Sequence, residues 1–341
     1  MLTSCKNGLP QVVPHLSAAA LARCDLVALN RLFRIFRMET LQLDSVTPKA
    51  FIGSMRQGGS IACSTEYGFS VQVRFSMPPD QFLLGYIHHA GENSWCQAVP
   101  LESGTAFSVM PDRDADFKFG ASTRITHVLL PTCAQYGSMA KPGMSKVDPH
   151  YFIKLFQSSG STVFARLERT YQQIRWKVIL QSDAMYEDLT EPVDFQNLIE
   201  SHAAASLCAS SENILSCPRS RRRHYLTVQR TEQFIRANLS RDIYVTEMCN
   251  AAEVSERALR YAFDDLFGIS PIRYLAMLRL CVASRKLSDA DGSRRSVKSI
   301  AMNCGLRDLS RFADNYRRAF GELPHDTLLR SPSNDENFPE N

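Results

Sequence analysis

The sequence predicts an α+β protein. The N-terminal part is expected to form an antiparallel β barrel with helices, and the C-terminal part an all-α domain in which a long helix joins two helix-turn-helix units. Short alternating runs separated by turn residues predict the strands. One helical pattern written twice in the last third predicts the two units. At 341 residues, the chain exceeds what a single hydrophobic core normally organises.

Four runs in the N-terminal part alternate apolar and polar residues, as strands with one buried face do. They cover residues 69–75, 82–87, 105–110 and 125–130, and Gly, Pro or Asp residues separate them. This spacing is typical of an antiparallel barrel or sandwich. We therefore expect a β-rich domain over residues 1–145.

The apolar period becomes helical over residues 151–179, with an interruption at 158–161. The apolar positions of this pattern are Phe152, Leu155, Phe156, Val163, Phe164, Leu167, Tyr171, Ile174 and Val178. A second helix is predicted after Pro192, over residues 193–207. Residues 146–212 should therefore form a helical segment.

A basic run comprising Arg219, Arg221, Arg222, Arg223 and His224 follows a stretch rich in Ser, Ala and Cys. We expect residues 213–225 to be a flexible basic linker, with non-specific phosphate contact as a secondary property.

The repeated pattern lies in residues 226–331. The apolar positions Val245, Met248, Cys249 and Ala252 recur at an offset of 52 as Val297, Ile300, Ala301 and Cys304. After one extra residue, Leu259, Phe263, Phe267, Gly268 and Pro271 recur at an offset of 53 as Phe312, Tyr316, Phe320, Gly321 and Pro324. Each copy predicts two crossing helices with one buried face each.

Capping residues support the same boundaries. Ser255 and Asp308 are suited to begin the second helix of each unit, and Gly268 and Gly321 to end it. Ser270 followed by Pro271 predicts the start of a connecting helix of about seventeen residues, roughly 26 Å long. Two helices held at that separation fit successive major grooves on one face of DNA.

Candidate base-contacting residues are those that project away from the buried stripe of each second helix. In the first unit they are Arg257, Arg260 and Tyr261, and in the second unit Arg307, Ser310, Arg311 and Asp314. Arginine donates two hydrogen bonds to guanine, which makes Arg257, Arg260 and Arg311 the strongest candidates. Asp314 would accept from cytosine, orient an arginine, or take no part.

Charge is distributed unevenly along the chain. Residues 218–330 hold 21 Lys and Arg against 13 Asp and Glu, whereas residues 1–217 hold 18 against 19. A phosphate-binding surface requires such an excess, although a solvated charged domain would also show it. The tail over residues 332–341 is acidic and polar, and we expect it to be disordered.

Residues 227–330 resemble the DNA-binding domain of the AraC/XylS family of bacterial transcription regulators. The matching stretches are Phe-Gly-Ile-Ser-Pro at 267–271, the pair Arg279 and Leu280, residues 304–312 and residues 320–324. The chain departs from the family pattern at Leu306, where phenylalanine is usual, and in a longer loop at 288–296.

The resemblance implies a sequence-specific regulator, more often an activator, that binds double-stranded promoter DNA and presents itself to RNA polymerase. It also implies a cupin-like sensor domain over 1–145 for a small-molecule effector, and a dimerisation segment over 146–212 for a homodimer. The N-terminal part is in addition similar to ethanolamine-utilisation regulators.

Two other functions stay open: a metal-dependent cupin-type enzyme, and a redox-sensing protein that uses the DNA-binding domain as an address. His88, His89, Glu92 and His127 are metal-ligand types, but the usual cupin spacing is absent and adjacent strand residues face opposite sides. Cys63, Cys96 or Cys133 would be the redox sensor. We expect no enzyme activity and no cofactor, since no phosphate-binding glycine loop or nucleophile elbow occurs.

Ten cysteines without a C-x-x-C pair indicate a reduced compartment. The N-terminus lacks the apolar core of a signal peptide, and no run reaches membrane-spanning length. We therefore expect a cytoplasmic protein with no membrane partner.

Overall fold

The computed structural model describes residues 38–44, 50–132, 153–157, 161–181, 192–209, 215–290 and 296–330. Cys133, the tail over 332–341 and residues 291–295 of the longer loop lie outside the described residues.

Eleven described strands pair into two antiparallel sheets. They are β1 (Glu39–Gln42), β2 (Ala50–Gln57), β3 (Ser60–Tyr67), β4 (Val71–Ser76), β5 (Gln81–His89), β6 (Trp95–Cys96), β7 (Val99–Pro100), β8 (Thr105–Val109), β9 (Asp114–Phe119), β10 (Arg124–Pro131) and β11 (Ile153–Gln157). The five-stranded sheet has the order β1-β4-β9-β6-β7, and the six-stranded sheet the order β11-β8-β5-β10-β3-β2. All four predicted strands are present, which confirms the antiparallel β architecture. In the described part of the chain the pairings form two open sheets, so closure into a barrel stays a prediction.

The six-stranded sheet is buried on both faces. One face packs against the five-stranded sheet, where Leu83 and Phe107 meet Val73 and Phe117 in one core. Gly85 makes this packing possible, because a Cβ at that position would lie 2.1 Å from the Phe107 ring. The other face packs against two helices, α1 (Thr162–Gln181) and α2 (Phe195–Cys208), in a second core.

Helices α1 and α2 match the predicted helical segment except at its start. Residues 153–157 were expected to be helical but form β11, an edge strand paired with β8. A five-residue apolar run has no reliable period of its own, and pairing with a neighbouring strand decides its conformation. Asp194 begins α2 by accepting a hydrogen bond from the Asn197 backbone N–H at 2.9 Å.

The basic run is likewise not a flexible linker in the structure. Helix α3 (Arg219–Ala237) includes all of its arginines and His224. Further along α3, Val228 and Ile235 are fully buried, which gives the helix an apolar side to pack. The basic residues therefore belong to the first turns of a packed helix.

Six further helices, together with α3, form the C-terminal region. The two sheets with α1 and α2 form the N-terminal region. The six helices are α4 (Val245–Ala252), α5 (Glu256–Phe267), α6 (Pro271–Ser288), α7 (Val297–Asn303), α8 (Leu309–Phe320) and α9 (Pro324–Leu329). We call α4 with α5 the first unit and α7 with α8 the second unit. Every predicted cap is confirmed: the Ser255 and Asp308 side chains accept from the backbone at the starts of α5 and α8, and Gly268 and Gly321 end them in the left-handed conformation.

The turns inside the two units have the same backbone geometry. Glu253 and Gly305, 52 residues apart, both have positive φ, at 57° and 72°. The next residue in each turn donates its backbone N–H five residues back, from Val254 to Cys249 at 3.1 Å and from Leu306 to Ala301 at 3.0 Å. The repeat seen in the sequence is therefore a repeat of structure.

Charged side chains join the five-stranded sheet to the C-terminal helices. Arg74 of β4 lies 3.0 Å from an oxygen of Asp116 and also pairs with Glu232 of α3, whose side chain is only 2% exposed. Arg236 binds the same Glu232 oxygen at 2.8 Å and reaches Glu39 of β1 at 2.9 Å. Removing an ion from water is costly unless it is paired, so this geometry constrains the contact between the two regions.

Uncharged partners extend this contact to α6. The Tyr274 hydroxyl donates to the side-chain oxygen Oε1 of Gln72 at 3.1 Å. The side-chain nitrogen Nε2 of Gln72 in turn donates to Asp116 at 2.8 Å. Tyr225 of α3 donates to the other Asp116 oxygen at 3.0 Å. The outer face of the five-stranded sheet thus carries a buried polar network rather than a solvated surface.

No single helix among the described residues is long and apolar enough to cross a membrane. Within the described ranges, one adjacent pair reaches this length and apolarity together, α5 with α6, and it is bent by 56° at its break.

We predict that Phe312→Ala destabilises the second unit by about 3–5 kcal/mol, because it removes a buried aromatic side chain. Phe312 is 2% exposed, and its ring centroid lies 5.6 Å from that of Tyr316. Chemical denaturation of the full chain measures the loss. Arg317→Ala, an exposed change on the same helix, is the control and should shift stability by less than about 0.5 kcal/mol. Equal losses in the two variants would contradict this packing account.

Candidate nucleic-acid interface

Helix α5 buries one side and exposes the other. Its buried residues are Leu259, Ala262, Phe263, Leu266 and Phe267. The three predicted base-contacting residues, Arg257, Arg260 and Tyr261, are all exposed. Arg257 donates to the Tyr261 hydroxyl at 3.2 Å and lies 5.3 Å from the centre of its ring, while Arg260 binds Glu256 at 2.5 Å. The structure brings the predicted set of the first unit together on one exposed face.

Helix α8 repeats this division. Phe312, Tyr316, Ala319 and Phe320 are buried, and Arg307, Ser310, Arg311 and Asp314 are exposed. Arg307 lies just before the Asp308 cap and pairs with Asp242 at 3.5 Å. Among the residues that the structure describes, the Arg311 guanidinium has no hydrogen-bond or ion-pair partner. Ser310, Arg311 and Asp314 follow helical spacing, so they share one face of α8.

Helix α6 lies between the two exposed faces and supports both units. Near the start of α6, the Tyr274 ring contacts the Phe263 ring of the first unit, with their centroids 5.3 Å apart. Near the end of α6, Ser284 accepts a hydrogen bond from the Tyr316 hydroxyl at 3.1 Å in the second unit. Because one helix carries both contacts, the two exposed faces are held in a defined relation to each other.

The basic start of α3 divides into an exposed and an inward part. Arg219, Arg222 and Arg223 are exposed. Arg221 instead donates to the Asn93 side chain at 2.6 Å, and His224 contacts Asp265 of α5 at 2.8 Å. Part of the predicted phosphate-contacting run therefore serves the contact between the two regions.

The candidate metal ligands are dispersed. Within the described ranges, no group of three or more His, Cys, Asp and Glu side chains could hold a metal ion. Burial lowers the pKa of His127 to about 4, and burial together with Arg175 and Arg124 lowers the pKa of His88 to about 4. His88 contacts the Thr126 hydroxyl at 2.9 Å, and His89 is exposed.

The two described cysteines considered as redox sensors are both buried. Burial raises the pKa of Cys63 to about 12 and raises that of Cys96 well above its ordinary value. Since the thiolate is the reactive form, these positions favour unreactive core thiols.

The residues that join the two regions were not predicted from the sequence. Arg74 and Asp116 are polar residues in alternating strands, a pattern that normally indicates a solvated face. The one available signal was the spacing of Glu232 and Arg236, four residues apart on a helix.

Comparison with known proteins places the similarity in the same helices. Residues 248–330 match a family model described as a helix-turn-helix domain. The chain is 39% identical over 102 residues to the XylDLEGF operon transcriptional activator 1 of Pseudomonas putida, covering 30% of this chain and 31% of that protein. It is 35% identical over 95 residues to the transcriptional activator RhaR of Klebsiella pneumoniae, covering 28% and 33%. The matched segment thus spans about a third of these curated relatives.

Among solved structures, a probable AraC family transcriptional regulator from Rhodopseudomonas palustris is 35% identical, with a TM-score of 0.28. The match covers 31% of this chain and 96% of that one. With its two helix-turn-helix units and its sequence match to these activators, the C-terminal region of the chain is a DNA-binding domain of the AraC/XylS type.

Proposed function

We propose that the protein is a sequence-specific transcription regulator that reads adjacent major grooves of DNA with α5 and α8. The observation that carries this proposal is the structural repeat. Helices α5 and α8 both have twelve residues, a side-chain N-cap, a left-handed glycine at the end, a buried apolar stripe and an exposed polar face. Helix α6 links them. A DNA-reading helix needs these properties, because one side must be fixed while the other contacts base edges.

The separation of the two units suits DNA. Helix α6 has 18 residues, which corresponds to about 27 Å at 1.5 Å per residue. One turn of DNA rises about 34 Å, and the width of the units adds to the helix length. We therefore place α5 and α8 in successive major grooves on one face of the duplex.

Base contacts are assigned to the exposed faces. Arg257 and Arg311 would each donate two hydrogen bonds to a guanine, because guanidinium geometry matches its acceptors. Arg260, Tyr261, Arg307 and Ser310 would contact bases or phosphates beside them. Asp314 would accept from cytosine or orient an arginine. The exposed Arg219, Arg222 and Arg223 supply phosphate contacts.

The remainder of the proposed mechanism rests on the resemblance of the C-terminal domain to AraC/XylS regulators. Residues 226–331 act as the DNA-binding domain, the β-rich region over 1–145 as a cupin-like sensor for a small effector, and residues 146–212 as a dimerisation segment. The relatives named above are transcriptional activators. We infer that this protein also activates transcription, by presenting itself to RNA polymerase when the effector changes the dimer or the contact between regions.

An enzyme built on the N-terminal region is the alternative function. It would need a bound metal, which elemental analysis of the purified full chain detects. The dispersed histidines give the enzyme less support than the regulator. The raised pKa values of Cys63 and Cys96 likewise give redox sensing less support.

Selection of bound DNA from a random pool by the purified full chain tests the function. We expect a motif with two half-sites, each read by one unit, about one helical turn apart. Specific sites normally bind about 10³ to 10⁷ times more tightly than random DNA, so competition with bulk DNA should leave the motif bound. A pool without a motif, selected equally with and without candidate effectors, would contradict the proposal.

Arg257→Ala and Arg311→Ala should each cost about 1–3 kcal/mol of binding at the selected site and relax base choice at one position. Quantitative binding to single-base variants of the site measures both effects. Arg169→Ala, which removes an exposed positive charge from α1, is the matched control and should leave base choice unchanged. Uniform weakening on every sequence would instead assign Arg257 and Arg311 to phosphate.

A further inference from the structure

The N-terminal region contacts the end of the first DNA-reading helix directly. Asn93, in the turn before β6, and Trp95, the first residue of β6, lie against the last turn of α5. The Trp95 indole N–H donates to the Leu266 carbonyl at 2.8 Å. The Asn93 side-chain amide donates to the Asp265 carbonyl at 3.0 Å and to the Leu266 carbonyl at 3.3 Å.

These bonds complete the C-terminal cap of α5. The last four carbonyls of a helix have no partner within it. Gly268 satisfies the Asp264 carbonyl at 2.8 Å, and the next two carbonyls, of Asp265 and Leu266, are satisfied by the N-terminal region. The end of α5 is therefore built by residues from both regions.

The Trp95 side chain is enclosed by C-terminal residues. It is 0% exposed, and the centroid of its ring lies 5.7 Å from the Phe267 ring centroid and 5.8 Å from that of Tyr225. The indole N–H is a donor only, so withdrawing Leu266 would leave it buried without a partner. This cost resists movement of α5 relative to the sheet.

Charged residues brace the same contact from α3. Arg221 donates to Asn93 at 2.6 Å and lies 3.8 Å from Asp265, while His224 contacts Asp265 at 2.8 Å. Asn93 itself has a positive φ of 53°, a conformation that asparagine tolerates better than most residues. The turn is thus held in place on both sides.

The second unit is supported differently. In α8, the Tyr316 hydroxyl contacts Ser284 of α6 at 3.1 Å and Thr327 of α9 at 2.8 Å, both within the C-terminal region. The contacts of Asn93, Trp95, Arg74 and Glu39 with the C-terminal region end on α3, α5 and α6. The N-terminal region therefore holds the first unit more directly than the second.

We propose that Trp95 is a positioning residue for DNA recognition: through Leu266, the N-terminal region sets the angle at which α5 enters its groove. Helix α5 is about 18 Å long, so a tilt of about 10° at its carbonyl end moves Arg257 by about 3 Å. A base contact does not survive such a displacement. The inference rests on the proposed function and adds a specificity determinant outside the DNA-binding domain.

Trp95→Phe in the full chain removes the N–H donor and keeps an aromatic ring. The probes are the selected DNA and two derivatives, each with one half-site scrambled. The half-site affected by Arg257→Ala identifies the bases read by α5. Discrimination at that half-site should fall about three- to tenfold, the range expected for one lost hydrogen bond, while discrimination at the other half-site should change less than about twofold.

Trp176→Phe is the matched control, because the other tryptophan of the chain is 58% exposed on α1 and should not affect either half-site. Asn93→Gly is the second variant, because glycine keeps the positive φ of this turn and removes the side-chain amide. The Asn93 side chain is exposed, so the change should spare folding and weaken discrimination at the same half-site as Trp95→Phe.

Equal losses at both half-sites, or no loss in either variant, would overturn the positioning role and leave the proposed function intact. If the wild-type chain selects no motif at all, the proposed function fails and this inference fails with it.

Discussion

Paired charges around Arg74 hold the C-terminal helices against the five-stranded sheet. Arg74 lies between Asp116 of its own sheet and Glu232 of α3, and Arg236 and Arg285 extend the network to Glu39. Burial alone would lower the pKa of Arg74, but Asp116, Tyr274 and Glu232 raise it above its ordinary value, so the guanidinium stays charged. This charge favours fixed positions for its partners, because separating them would leave unpaired ions in a poorly solvated site, at a large cost in free energy. The orientation of α3 on the sheet follows from that cost.

Helix α3 transmits this orientation to the DNA-reading helices. It packs against α4 and α5, and Tyr274 of α6 joins the same polar network through Gln72. The two units pack against α6, which contacts Phe263 of the first unit and Tyr316 of the second. The two exposed faces are consequently attached to a common frame that includes the N-terminal sheet. A change in the sheet has a physical route to the DNA-reading surface, through contacts rather than through a linker.

Local signals made the C-terminal helices predictable. Ser255, Gly268, Asp308 and Gly321 act through bonds to their nearest backbone neighbours, and the buried stripes follow helical spacing, so both are readable in sequence. Features decided by distant partners were not readable. Strand β11 depends on pairing with β8. The basic run is helical because the rest of α3 packs against its neighbours. The Trp95 indole donates to the carbonyl of Leu266, which is 171 residues away in the sequence. The seven base-contacting candidates are exposed as the pattern predicted. Their contacts stay a prediction, since those contacts form only with DNA.

If α6 and the N-terminal sheet together hold α5 and α8 in adjacent major grooves, both helices should protect the same face of DNA. Hydroxyl-radical footprinting of the full chain on its selected DNA measures this protection. We expect two protected patches on one face of the duplex, with their centres about one helical turn, roughly 10 base pairs, apart. A single patch, or two patches on opposite faces, would show that the two units do not read DNA together.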